Sequence, residues 1–197
     1  MAGKLKKLSY NSPVILTYAL ACLAVLVANS LTGGLLNRLL FICYGHPNLF
    51  DPLTYPRLVL HVFGHVNLAH YTNNMVLMLL VGPIVEERYG SWNLCVMIGI
   101  TALGTGILNS IFFSTGIIGA SGIVFMLIIL SAFTNMRKGE IPITLILVTA
   151  AYLGQEIYDG LFTNDDISHF GHLTGGLFGL AFGIMFYKKK FENGSNS

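Results

Sequence analysis

Three short stretches of this chain hold residues that could do covalent chemistry together. Ser121 stands in the run Gly119-Ala120-Ser121-Gly122, His172 closes the run His169-Phe170-Gly171-His172, and His70 lies four residues before Asn74. A hydroxyl is a poor nucleophile until a base takes its proton, and an imidazole is suited to that task near neutral pH. Residues four apart share a helix face. His70 and Asn74 would therefore offer an imidazole and a carboxamide side by side, two hydrogen-bond donors able to hold an oxyanion. Ser121, flanked by small residues at a sharp entry to a helix, would keep its hydroxyl and N–H at the positive helix end. Negative charge developing there, with Gly119 beside it, would be stabilised. The chemistry this set could perform is acyl transfer by a Ser/His pair.

The elements that must position these residues are apolar. Of 197 residues 54% are hydrophobic and 10% charged, whereas soluble domains carry about a quarter charged residues. A spanning helix needs about 20 apolar residues, and six stretches qualify: 13–31, 66–85, 92–113, 119–136, 141–160 and 169–187. The expected fold is all-α, one membrane domain over residues 1–197, with short polar ends at 1–12 and 188–197. The first stretch follows Lys4, Lys6 and Lys7 and has Ala28 and Ser30 near its end, as in a secretory signal, but it is long for a signal core. Basic residues are retained on the cytoplasmic side. With both termini cytoplasmic, Lys4, Lys6, Lys7, Arg88, Arg137, Lys138, Lys188, Lys189 and Lys190 lie inside and only Arg38 and Arg57 outside. The net charge of +2 is then topology, and nucleic acid is not expected as a partner. Cys22, Cys43 and Cys95 suggest neither a disulfide framework nor a zinc knuckle.

In this topology the second, fourth and sixth stretches all begin outside, so His70, Asn74, Ser121 and His172 share one depth. Polar groups inside a membrane bundle are costly and are functional candidates by default. Gly171, Gly175, Gly179 and Gly183 repeat every fourth residue, a smooth stripe that lets another helix approach closely. If that partner is the fourth stretch, where Ser121 and Gly122 are also small, imidazole and hydroxyl meet.

These motifs resemble the rhomboid intramembrane serine proteases over about residues 10–190. The resemblance rests on the Gly-x-Ser-Gly run at Gly119–Gly122, the His-x-x-x-Asn pair His70 and Asn74 with His61 and His65 before it, His172 followed by Gly175 and Gly179, and the Gly-x-x-x-Glu run of Gly82 and Glu86. Three positions depart from the family. Pro56 stands before Arg57 where Trp is common, Gly171 replaces Ala, and Phe125 replaces a Tyr one turn after the nucleophile. Phe125 can still pack on the imidazole. The resemblance implies an intramembrane endopeptidase of six-helix type in the cell membrane, acting on single-pass or polytopic membrane proteins of the surrounding lipid bilayer. It also implies that the fifth helix moves to admit substrate. The long segment 32–65, with Phe41, Tyr44, Phe50, Tyr55 and Phe63, reads as an embedded loop bracing the site. No cofactor and no metal is expected; Ser121 and His172 are expected to act as a dyad, with Asp165 and Asp166 in the last outer loop as the alternative for a triad.

Each residue also has a plain structural reading. Ser121 could cap a helix, His172 could be a packing residue, His70 and Asn74 could bond between helices, His61 and His65 could be structural or solvent-facing, and Glu86 could satisfy a helix end or pair with Arg88. Two other classes compete: a rhomboid relative that binds clients without cleaving them, and a metal or haem protein using His61, His65, His70 and His172. The first would lack the nucleophile or the base, and no His-Glu-x-x-His run supports the second.

Overall fold

The computed structural model describes residues 9–134, 136–162 and 169–192. Lys4, Lys6 and Lys7, the aspartates 165 and 166, and the tail beyond residue 192 fall outside them. Among the described residues the regular structure is helical: α1 (Pro13–Leu31), a π-helical turn (Asn37–Phe41), α2 (Thr54–Leu60), a 3-10 turn (His61–Phe63), α3 (Leu68–Tyr89), α4 (Ser91–Phe112), α5 (Ser121–Phe133), α6 (Ile143–Phe162) and α7 (His169–Glu192). Four helices, Pro13–Leu31, Leu68–Tyr89, Ser91–Phe112 and His169–Lys189, are long and apolar enough to cross a membrane, and the apolar helices Ser121–Phe133 and Ile143–Tyr152 are shorter.

The outward faces are apolar and so is the centre. Leu20, Val27 and Leu31 of α1, Leu80 of α3 and Leu147 of α6 are exposed, as lipid-facing side chains would be. The middle is α5, whose Ile123, Val124, Met126, Leu127, Ile129 and Leu130 are buried. A helix apolar all round belongs inside such a bundle. The fourth stretch expected at 119–136 is thus cut to thirteen helical residues. It starts late because Gly119 takes φ +130°, a region that favours glycine, and gives its N–H to the His61 carbonyl (2.9 Å) rather than to a helical turn.

Helix ends are satisfied from elsewhere in the chain. Pro13 opens α1 where its missing N–H costs nothing. The next two N–H groups, of Val14 and Ile15, donate to the Glu86 carboxylate of α3 at 3.0 and 3.1 Å, and Ser91 Oγ–H adds a third bond at 2.7 Å. Glu86 therefore serves a helix end and does not pair with Arg88; a carboxylate at a helix N-terminus also meets the positive dipole end. At the other end of α3, Asn67 is the N-cap, its Oδ1 accepting from His70 N–H at 2.8 Å.

Residues 32–65 are folded rather than structureless. Arg57 is buried and donates from Nε to the Leu39 carbonyl (2.9 Å) and from Nη1 to Asp51 (2.8 Å). Tyr18 of α1 donates to the Val62 carbonyl (2.7 Å), and Asn37 Nδ2 to the His65 carbonyl (2.9 Å). Neither His61 nor His65 faces solvent: both are buried. His61 Nε2 lies 3.0 Å from the Ala102 carbonyl, and the His65 ring packs edge-on against His70 and Tyr71. Burial lowers both imidazoles to about 4 from an ordinary 6.5.

That depression sets a pH dependence of stability. Between pH 6.5 and 4 the unfolded chain binds protons that folded His61 and His65 refuse, so the stabilisation is complete above about 6.5 and is lost as pH falls towards 4. The unfolding midpoint in detergent is expected to drop between pH 7 and pH 5, and His61→Asn to flatten the profile. A midpoint unchanged over that range would contradict this account.

Candidate active site

Three helices and one loop converge at the end of the bundle where α3, α5 and α7 begin. Ser121 is the first residue of α5 and Ala120 its N-cap, with no side-chain cap bond. The first N–H groups of a helix lack intrahelical partners. The first bond of this turn runs from Val124 N–H to the Ala120 carbonyl (3.0 Å), so the N–H of Ser121 sits ahead of it, in the positive field of the helix end.

The approach to Ser121 is held by the loop between α1 and α3. Cys43 and Ile117 exchange both backbone hydrogen bonds (3.0 and 2.9 Å), and two residues later Gly119 bonds to His61. The expected bracing segment thus fixes the strand-like lead into α5 by three backbone bonds. Gly119 is required for a second reason besides its φ. A Cβ there would stand 2.7 Å from the His70 ring and 3.8 Å from Asn74 Nδ2. His70 and Asn74 are therefore brought up to the Gly119 side of the Ser121 turn. Asn74 Nδ2 is buried and has no acceptor among the described residues, an amide donor facing the place where an acceptor would be welcome.

From the other side comes α7. A Cβ on Gly122 would lie 3.1 Å from the Gly171 carbonyl, and one on Gly175 would collide with the Gly122 backbone oxygen. Lower down, a Cβ on Gly179 would stand 2.7 Å from the Met126 carbonyl, and one on Gly183 would enter the Phe133 ring. The stripe read from the sequence is thus the seam on which α7 lies against α5, backbone to backbone. The residue before His172 abuts the residue after Ser121. His172 lays its ring on Phe125, one turn below Ser121, with centroids 4.5 Å apart and planes 8° from parallel. Tyr152 of α6 meets the same Phe125 edge-on at 5.6 Å.

A small cavity of about 20 Å³ lies under the Ser121 turn, lined by His61, Gly119, Ser121, Gly122, Gly171 and Thr105. Thr105 was not singled out in the sequence. It belongs to a polar row on α4, Thr101, Thr105 and Asn109, all buried. Asn109 Nδ2 donates to the Cys43 and Thr115 carbonyls (3.3 and 3.0 Å), tying both sides of the bridge to α4. The four-residue spacing of these polar residues in an apolar stretch was the available signal. Among the described residues no group of three His, Cys, Asp or Glu side chains is placed to hold a metal ion.

An all-helical membrane architecture, a serine at a helix N-terminus and a histidine on a glycine seam define a class, and comparison with known proteins agrees. The model of the rhomboid domain matches residues 52–189, and the chain belongs to the rhomboid family, an integral multi-pass membrane protein. The rhomboid proteases GlpG of Salmonella paratyphi A and of Salmonella typhi are each 33% identical to it over 118 residues. The match covers 58% of this chain and 41% of each relative, so the alignment spans about two fifths of the relatives' length.

Proposed function

We propose that this protein is an intramembrane serine endopeptidase that cleaves transmembrane segments of other membrane proteins, with Ser121 as nucleophile and His172 as general base. The observation that carries the reading is the α5–α7 seam: small residues bring the backbones at Gly122 and Gly171 into contact, and Phe125 stacks on the imidazole one turn below the hydroxyl. Family membership and the two GlpG proteases support it.

In the proposed reaction His172 takes the Ser121 proton while Oγ attacks the scissile carbonyl. The oxyanion is received by Ser121 N–H and by Asn74 Nδ2 and His70, preorganised donors at a helix N-terminus. His172 returns the proton to the leaving amine. Water, deprotonated by the same imidazole, then releases the acyl group and restores Ser121. The pair works as a dyad. Six helices cross the cell membrane in this reading, with both termini cytoplasmic, and α5 crosses despite its length because protein surrounds it. A regular helix hides its carbonyls in hydrogen bonds, so substrates are segments unwound by small or helix-breaking residues, entering past α6.

Purified protein in liposomes is expected to cleave a single-pass membrane substrate at a rate that a chelator leaves unchanged. A fluorophosphonate should stop the reaction and label Ser121. Cleavage that continues with Ser121 unlabelled, or that a chelator abolishes, would overturn the assignment.

A further inference from the structure

We propose a lipid site at the opposite end of the bundle: the cavity beneath the end of α5 receives the phosphate head and upper chain of an anionic phospholipid from the leaflet facing away from Ser121. The cavity exists because α5 is short. It ends at Phe133, beside Gly183, while α7 continues to Glu192, about 14 Å further at 1.5 Å per residue. The last turns of α3 and α7 then wall a space of about 200 Å³ below Phe133, the last residue of α5.

Two kinds of surface meet there. Phe133, Met136 and Phe186 give an apolar interior, while Arg88 and Tyr187 stand in the wall. Around the mouth Arg137 and Lys138 follow α5, and Lys188 and Lys189 end the described side chains of α7; all four, like Arg88, are exposed. None of these five cations has a carboxylate within 4.0 Å among the described residues, where the ion pair found is Arg57–Asp51 at the other end. Among the described side chains at this end, Glu87 and Glu140 are also exposed, and Glu86 is buried, its carboxylate taken by Val14 N–H, Ile15 N–H and Ser91 Oγ–H.

Five cations without an ion-pair partner among the described residues, at a membrane face, attract anionic lipid by about 1 kcal/mol per basic residue near the surface. An arginine in a cavity wall adds directional hydrogen bonds to phosphate. A soluble phosphate would satisfy Arg88 but leave the rings of Phe133 and Phe186 bare, whereas a lipid covers both. A zwitterionic head would bring its own cation against the five. The charge and the lining therefore select the same occupant.

The test is native mass spectrometry of the intact protein released from bilayers of phosphatidylglycerol and phosphatidylcholine with matched chains. One phosphatidylglycerol should be retained in preference to phosphatidylcholine. Arg88→Gln, an exposed change, should lower that retention about tenfold, and Met136→Trp, which fills the cavity while keeping every cation, should lower it as well. Equal retention of the two lipids overturns the proposal. So does wild-type retention by Met136→Trp, or displacement of the lipid by millimolar sn-glycerol 3-phosphate, which would assign the site to a soluble phosphate. The outcome does not depend on whether the protein is a protease.

Discussion

Ser121→Ala is expected to abolish cleavage of a membrane substrate, by on the order of 10⁴-fold or more, while leaving the fold in place. The second half of that expectation comes from the structure. Ser121 sits at the first helical position and the cap residue is Ala120, so the Ser121 hydroxyl is not what caps α5. Removing one oxygen from this half-buried residue should shift stability by about 0.5 kcal/mol or less. His172→Ala should lose as much activity, and in addition part of the stack on Phe125, about 1 kcal/mol of stability. The decisive measurement is the double variant. Groups that act as one unit are non-additive, so Ser121→Ala combined with His172→Ala should cleave no more slowly than either single change. A Ser121→Ala protein retaining a tenth of the wild-type rate would refute the assignment, and two losses that multiplied would refute the pairing of these residues.

The sequence displayed the residues of the candidate site better than the scaffold that holds them. Hydroxyl, imidazole and amide were visible because polar residues in an apolar chain stand out, and the glycine stripe was visible because a four-residue repeat of the smallest residue marks one helix face. What was not visible was the shape of residues 32–65. Its order rests on side chains reaching backbone carbonyls far along the chain, such as Tyr18 to Val62 and Asn37 to His65, and no local pattern encodes such pairings. The length of α5 was overestimated for a related reason. Apolar residues begin before Ser121, at Ile117 and Ile118, but the Gly119 bond to His61 takes the lead-in away from the helix. Glu86 was legible as a helix-end carboxylate, though not whose end; its partners lie 72 and 71 residues away. The polar row on α4 escaped because its members stand near no motif.

The seam also separates packing from chemistry, which yields the second large effect. Gly175→Ala should cost the fold about 1–3 kcal/mol and should lower the cleavage rate of the protein that remains folded by on the order of 10²-fold. The added Cβ falls on the Gly122 carbonyl oxygen, a backbone atom inside a buried helix that cannot swing aside as a side chain would. The helices must part at that level, and His172, one turn above on α7, moves with them away from Ser121. Gly183→Ala repeats the insult two turns further down, about 12 Å from Gly175, against the Phe133 ring. It should lower stability while the folded fraction keeps most of its rate. Gly99 on α4 has nothing within 4 Å of its would-be Cβ, so Gly99→Ala should stabilise the helix by up to about 1 kcal/mol and leave cleavage unchanged. Unfolding midpoints and rates per folded molecule for the three variants form one experiment. If Gly183→Ala slows the folded enzyme as much as Gly175→Ala, the glycine seam acts on activity through global packing and not by setting the distance between the two helices at Ser121.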